Sequence, residues 1–305
     1  MRKKSLKQMQ TKQHIQKLLA SAGIEPNKRL GQHFLIDLNL MRLLIDTANI
    51  HSNDIVLEVG CGTGSLTEAL AQKACRVVAV ELDDTVAEIA KKELVDYPNT
   101  EVINADVLES KHVINRNVTK ALESACNNCS GRILLVANLP YSVASVVMLN
   151  LVTGDITADA MYVTVQKEVA QRMTAVPGSG DYGILSICLA ATGQVKTERF
   201  LKPTVFWPQP QVDSAMISFV RRKNKVSQIK SMELFSETVN LFMQHRRKML
   251  KGCVKFADNQ LAAVHNWAQI FEHSCIDPHL RPEQLAPEDF LAIANLCHEH
   301  ISKTG

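Results

Sequence analysis

From Asp54 to about Phe219 the chain alternates short β-branched or apolar blocks with amphipathic helical ones, and this alternation narrows the possible folds more than any other feature. Strands are expected at Ile55–Val59, Arg76–Val80, Glu101–Ile103, Arg132–Ala137 and Ala160–Val165, with helices such as Ser65–Gln72 and Thr85–Leu94 between them. Strand, helix, strand in series builds a parallel sheet with helices on both faces. Two longer strands are expected near Ile184–Ala191 and Asp213–Arg221, forming an antiparallel edge. The Pro-rich segment Pro203–Pro210 joins them and is too rigid and poor in donors to be helix. From about Lys230 the pattern is helical only. In the last helix Pro287 suits the first position, Glu288 and Asp289 suit the positive end, and Phe290, Ile293, Ala294, Cys297 and Ile301 form one apolar stripe. The expected architecture is α/β with a small C-terminal α-helical domain. Its divisions are a basic N-terminal segment 1–27, a sheet-bearing domain 28–229 and a helical domain 230–305.

A chain of 305 residues has room for a full core plus a smaller unit, and its formal charge of +3 is unevenly spread. Arg2, Lys3, Lys4, Lys7, Lys12, Lys17, Lys28 and Arg29 face a single acid, Glu25, in the first thirty positions. Further basic runs stand at Arg221-Arg222-Lys223 and Arg246-Arg247-Lys248. Such local patches can follow a phosphate backbone although the whole chain is near neutral. No apolar run approaches the roughly twenty residues that span a bilayer, and no apolar stretch follows the basic start, so a cytoplasmic protein is expected. The eight cysteines sit mostly in apolar segments and read as reduced core residues. Cys126 and Cys129 form a lone C-x-x-C in what reads as a polar loop. Without a second pair no metal site is expected.

Glu58-Val59-Gly60-Cys61-Gly62-Thr63-Gly64 follows the first strand and opens the first helix, where glycines allow tight curvature and close ligand approach. Glu81 ends the second strand about twenty residues on, placed to accept both hydroxyls of a ribose. A dinucleotide fits these features too, but the third glycine comes one residue early and Glu58 is unsuited to a pyrophosphate. A carboxylate there better suits a positively charged amino-acid end. S-adenosylmethionine has one and lacks a pyrophosphate. Asp106, after the third strand, is suited to accept from an adenine amino group.

Asn138-Leu139-Pro140-Tyr141 stands where the strand ending at Ala137 runs out, and it is built to hold a planar amine. The Asn138 side-chain oxygen is one acceptor, and the carbonyl of Leu139 or Pro140 is another. Pro140 stiffens the turn and holds Leu139 in extended geometry. Tyr141 offers a ring on which a base can stack, and Phe206, in the Pro-rich loop, is the candidate second ring or a packing residue.

These residues are similar to those of the small-subunit ribosomal RNA adenine dimethyltransferases, the KsgA family. The resemblance runs from Lys28-Arg29-Leu30-Gly31-Gln32-His33-Phe34-Leu35 through Gln166-Lys167-Glu168-Val169, Tyr182-Gly183-Ile184-Leu185-Ser186 and Phe206-Trp207-Pro208-Gln209-Pro210-Gln211-Val212-Asp213-Ser214-Ala215 to Gln244-His245-Arg246-Arg247-Lys248. It implies a Rossmann-like S-adenosylmethionine-dependent methyltransferase fold. It also implies that His33, Leu35, Gly60, Gly62, Glu81, Asp106 and Asn138 contact or border the cofactor. His33 stands where the family often carries Asn. The implied substrate is a pair of adjacent adenosines in a hairpin near the 3′ end of 16S rRNA, dimethylated at N6 within a pre-30S particle. The related resistance methyltransferases of large-subunit RNA share the core, and the Val212–Ala215 context and the Arg246–Lys248 run favour the small-subunit enzyme. A monomer is expected, as no heptad seam is visible. Two rival readings stand beside this one: a dinucleotide oxidoreductase, and an RNA-binding assembly factor on a degenerate methyltransferase fold.

Overall fold

The computed structural model describes residues 9–27, 30–111 and 113–304. Arg2, Lys3, Lys4 and Lys7 of the basic N-terminal segment, and Lys28 and Arg29 just beyond it, lie outside the described residues. In chain order the first half runs α1 (Lys12–Ser21), β1 (Phe34–Leu35), α2 (Leu38–Ala48), β2 (Ile55–Val59), α3 (Ser65–Ala71), β3 (Arg76–Glu81), α4 (Asp84–Glu93), β4 (Thr100–Asn104), β5 (Leu108–Ser110), β6 (Val113–Ile114), α5 (Arg116–Asn128) and β7 (Ile133–Asn138). There follow α6 (Ala144–Thr153), β8 (Ala160–Gln166), α7 (Lys167–Met173), α8 (Ile184–Thr192), β9 (Gly193–Leu201), β10 (Phe206–Trp207), β11 (Ser214–Arg221) and α9 (Lys223–Val226). The chain closes with α10 (Met232–Gln244), α11 (Leu250–Cys253), α12 (Trp267–Ser274) and α13 (Pro287–Thr304). Among the described residues no helix is long and apolar enough to cross a membrane.

The chain divides into two compact units, and the division is discontinuous along the sequence. The first holds residues 1–150, 158–167 and 197–218; the second holds 151–157, 168–196 and 219–305. Residues 168–196 thus group with the C-terminal helices, whereas the sequence pattern placed one boundary near residue 230.

Among the described residues the main sheet has seven strands in the order β4-β3-β2-β7-β8-β11-β9. The pairs β4–β3, β3–β2, β2–β7 and β7–β8 are parallel. Chain order reverses between β2 and β7, and the crevice beyond the carboxyl ends of the strands at such a switch point is where open α/β sheets bind ligands. Strand β2 is buried at every position, as a strand covered on both faces must be. The two central strands are pinned at their starts by Asp54, which is 1% exposed. Its carboxylate accepts from the main-chain N–H of His51 at 2.8 Å and of Arg132 at 2.9 Å, and from Arg132 Nη2 at 2.6 Å.

The expected strand at Ile184–Ala191 is instead α8, and the strand lies just after it, at Gly193–Leu201. An apolar run this short has no usable period, because a helix buried all round and a buried strand look alike in sequence. In the second unit α8 packs on α10 and α13, which bury its sides. The Pro-rich segment contains one short 3-10 turn, Pro203–Val205, and then β10, which pairs antiparallel with β1. Cys126 and Cys129 close α5 rather than sit in a loop. Cys129 is bonded to Cys75, against the expectation of reduced thiols throughout. Strand and crossover bring the end of α5 to the start of β3 across 54 positions, a proximity that cysteine spacing alone cannot reveal.

Candidate active site

The Gly-rich turn after β2 is held from two sides. Gly60 N–H and Cys61 N–H donate to the Val80 carbonyl of β3 at 2.8 and 3.1 Å, and Gly62 N–H donates to Glu81 Oε2 at 2.9 Å. Gly60 and Gly62 have φ of +77° and +56°, a region that side chains rarely adopt. A Cβ on Gly60 would stand 2.8 Å from Pro140 Cγ, so its missing side chain lets the turn and the Asn138–Tyr141 corner touch.

Turn and corner border one cavity of about 230 Å³ at the switch point, lined by His33, Leu35, Glu58, Gly60, Gly62, Glu81, Asp106 and the segment Asn138–Val143, among others. Glu81 ends β3 and is 7% exposed. Each of its oxygens already accepts one main-chain N–H, from Gly62 and, at 3.0 Å, from Asp83. The carboxylate plane is thereby preset, with one lone pair per oxygen left for a diol. Burial raises its carboxyl above the usual range, and these N–H bonds offset part of the rise. Asp106 is exposed and accepts the Leu108 N–H on Oδ1 at 2.9 Å, which leaves Oδ2 for a ligand donor. Glu58 is 2% exposed, and its Oε2 has no hydrogen-bond partner among the described residues. Burial pushes this carboxyl up to about 8, so near neutral pH it holds a proton, and it fits a ligand whose own positive charge would draw that proton off.

The amine-gripping corner is more determinate than its sequence. Asn138 Nδ2 donates to the His33 carbonyl at 2.7 Å, and Thr164 Oγ1 donates to Asn138 Oδ1 at 2.5 Å. The Pro140 carbonyl already accepts the N–H groups of Val143 and Ala144, both at 3.2 Å, at the entry to α6. Of the two main-chain acceptors the sequence left open, Leu139 is therefore the one available to a ligand. Tyr141 is fixed at its far end by a 2.8 Å hydrogen bond with Ser214, and burial raises its phenol, so it remains a neutral ring. The ring of His33 stands 5.7 Å from that of Tyr141, tilted by 30°. Its Nδ1 lies 2.6 Å from the Pro208 carbonyl, and since a carbonyl only accepts, Nδ1 carries the proton.

Of the expected site residues the structure brings together His33, Leu35, Gly60, Gly62, Glu81, Asp106 and Asn138–Tyr141 around one cavity. Phe206 is not among its lining residues. It is 2% exposed and faces Leu35 across the β1–β10 pair, as a packing residue. Thr164 sits in no motif, and Ser214 lies in the Val212–Ala215 stretch but was given no role at the site; only strand register brings the two to the corner. Within the second unit the basic runs also divide. Arg246 donates to Glu283 at 3.0 Å, and Arg221 donates to the Val152 carbonyl at 2.7 Å. Arg247, Lys248, Lys251, Lys255 and Arg281 instead line a shallow depression beside the exposed ring of Phe256, with no acid among the described residues of its wall.

A family model described as "Ribosomal RNA adenine dimethylase" matches residues 23–299. A protein of Geobacillus sp. (strain WCH70), named ribosomal RNA small subunit methyltransferase A, is 35% identical over 290 residues, covering 95% of this chain and 97% of its own. Its namesake from Latilactobacillus sakei subsp. sakei (strain 23K) is 32% identical over 288 residues, 94% of this chain and 95% of its own. A solved dimethyladenosine transferase from Plasmodium falciparum shares the fold, with a TM-score of 0.65 at 23% identity over 86% of this chain and 96% of its own. Sheet order, cavity and sequence likeness converge: the chain belongs to the ribosomal RNA adenine dimethylase family of S-adenosylmethionine-dependent methyltransferases.

Proposed function

We propose that this protein transfers methyl groups from S-adenosylmethionine to N6 of two adjacent adenosines in a hairpin near the 3′ end of 16S rRNA, acting on a pre-30S particle in the cytoplasm as a monomer. The observation that carries the reading is the corner itself: a fixed amide oxygen on Asn138 and the Leu139 carbonyl border the same cavity as Glu81 and Asp106.

The cofactor supplies an electrophilic methyl group on sulfur. Glu81 would hold its ribose, Asp106 its adenine amino group and Glu58 its ammonium, with Gly60 and Gly62 giving main-chain approach. The N6 lone pair of adenine is delocalised into the ring, so the free amine is a poor nucleophile. Asn138 Oδ1 and the Leu139 carbonyl accept its two hydrogens, let the nitrogen pyramidalise and aim the lone pair. Tyr141 carries the extruded base. Alignment supplies several kcal/mol of the barrier in such reactions, and the alkylated amine is acidic enough to release its proton to water.

The second unit would engage rRNA through phosphates and shape, using Arg247, Lys248 and the cations beside them. Its Arg246 contributes through the Glu283 ion pair instead.

The test is mass spectrometry of 16S rRNA after incubating unmethylated 30S-type particles with S-adenosylmethionine and either the parent or Asn138→Ala. Dimethyladenosine near the 3′ end with the parent, absent with a folded variant, is expected. No methylation by a parent that binds the cofactor would refute the substrate assignment and favour large-subunit RNA or the assembly-factor reading.

A further inference from the structure

We propose that the Thr164 hydroxyl is a positioning group of the transfer site, which locks the Asn138 amide and so governs how completely the second methyl is added. The inference rests on the dimethylation reading above and deepens it.

Thr164 is fully buried on β8 and is the register partner of Asn138 on β7. Its carbonyl accepts the Leu139 N–H at 3.1 Å, and its Oγ1 lies 2.5 Å from Asn138 Oδ1. One residue thus braces both acceptors of the corner. The direction of these bonds is settled by chemistry. The His33 carbonyl can only accept, so the Asn138 NH₂ faces it and Oδ1 faces Thr164. The hydroxyl must then donate. That uses one lone pair of Oδ1 and leaves a single lone pair for the substrate.

Adenine brings two N–H groups to this corner, one for Oδ1 and one for the Leu139 carbonyl. N6-methyladenine brings one. In the second transfer a single hydrogen bond and the Tyr141 ring must hold the nitrogen in line, so looseness in the amide is felt more strongly than in the first. Valine in place of Thr164 keeps the shape and removes the donor. Oδ1 is left with an unfilled lone pair, and the amide is held at one end only.

The experiment measures N6-monomethyl and N6,N6-dimethyl adenosine over time on unmethylated 30S-type particles with the parent, Thr164→Val and Thr164→Ser. Cofactor affinity by calorimetry and thermal melting are measured alongside. Thr164→Val is expected to slow the second transfer by about tenfold, the size of one neutral hydrogen bond, and to accumulate the monomethyl product. Its cofactor affinity should match the parent and its melting should fall only modestly, as the loss of one buried hydrogen bond requires, and Thr164→Ser should restore both the melting and the dimethyl product. An unchanged mono-to-dimethyl ratio in Thr164→Val would overturn the inference. So would a Thr164→Ser protein that folds yet behaves as the valine variant, or activity that falls only in step with cofactor affinity. If the parent itself methylates nothing, the functional reading fails first and this inference with it, an outcome seen before any variant is compared.

Discussion

Glu58→Gln should make the cofactor-free protein more stable in base and change it little in acid. Glu58 is 2% exposed on β2, and burial, partly offset by the Thr67 hydroxyl and reinforced by the charge of Glu81, pushes its carboxyl up from 4.5 to about 8. A shift of that size corresponds to about 5 kcal/mol between the two protonation states, an upper limit for what the site contributes. The folded value lies above the unfolded one, so the native state holds the proton more tightly. The stability associated with Glu58 is therefore fully present below about 4.5, falls as pH rises, and is gone above about 8. Glutamine keeps the shape and never ionises. Urea unfolding of parent and variant from about pH 5 to about pH 9 should give a difference that is small in acid and grows in favour of the variant, approaching at most about 5 kcal/mol at the basic end. Taking the difference cancels titrations common to both proteins. Parallel pH profiles would refute the reasoning. The same carboxyl must ionise to meet a ligand ammonium, so cofactor binding near neutral pH should release nearly one proton from the parent and none from the variant. Calorimetry in two buffers of different ionisation enthalpy reads this directly.

Gly62→Ala places a Cβ 2.9 Å from Phe34 Cε1 at a φ of +56°, so a destabilisation of about 1–2 kcal/mol in melting experiments and a sharp fall in cofactor affinity are expected. Asp54→Ala should cost about 3 kcal/mol in urea unfolding, because it strips Arg132 and two main-chain N–H groups of their shared acceptor. Burial alone would raise the Asp54 carboxyl, but the Arg132 guanidinium and the N–H groups of His51 and Arg132 outweigh it and hold the group below the usual range. Its stabilisation is thus present above pH 3.8 and disappears as pH falls through the lowered value, so Asp54→Asn should flatten the acid limb of the parent's unfolding curve. Arg247→Ala with Lys248→Ala should weaken particle binding, reduce its salt dependence and leave cofactor affinity intact, with the slope changing by about 0.9 for each duplex phosphate that is no longer neutralised. Arg246→Ala should instead lower melting slightly, through the half-exposed Glu283 pair, by less than about 1 kcal/mol.

Much of the first unit was legible because its signals are local. The strands β2, β3, β4, β7 and β8 fall within a residue or so of the expected blocks, and Gly60, Glu81, Asp106 and Asn138 each sit at or just beyond a strand's carboxyl end, where a parallel sheet collects them. What local signals could not carry was any choice between neighbours. Ile184–Thr192 became helix because packing on α10 and α13 rewarded an all-round apolar surface. Pro140 gave up its place as an acceptor to the first turn of α6, Phe206 went to the β1–β10 pair, and Cys129 met Cys75. The amide of Asn138 was written in the sequence; the direction it faces was not. That direction depends on a carbonyl 105 positions away and a hydroxyl 26 positions away. By itself the sequence determined which chemistry gathers at the strand ends, since periodicity and turn residues act within a few positions. Only the tertiary structure decided which donors meet which acceptors, because hydrogen bonds depend on register between strands that no local pattern records.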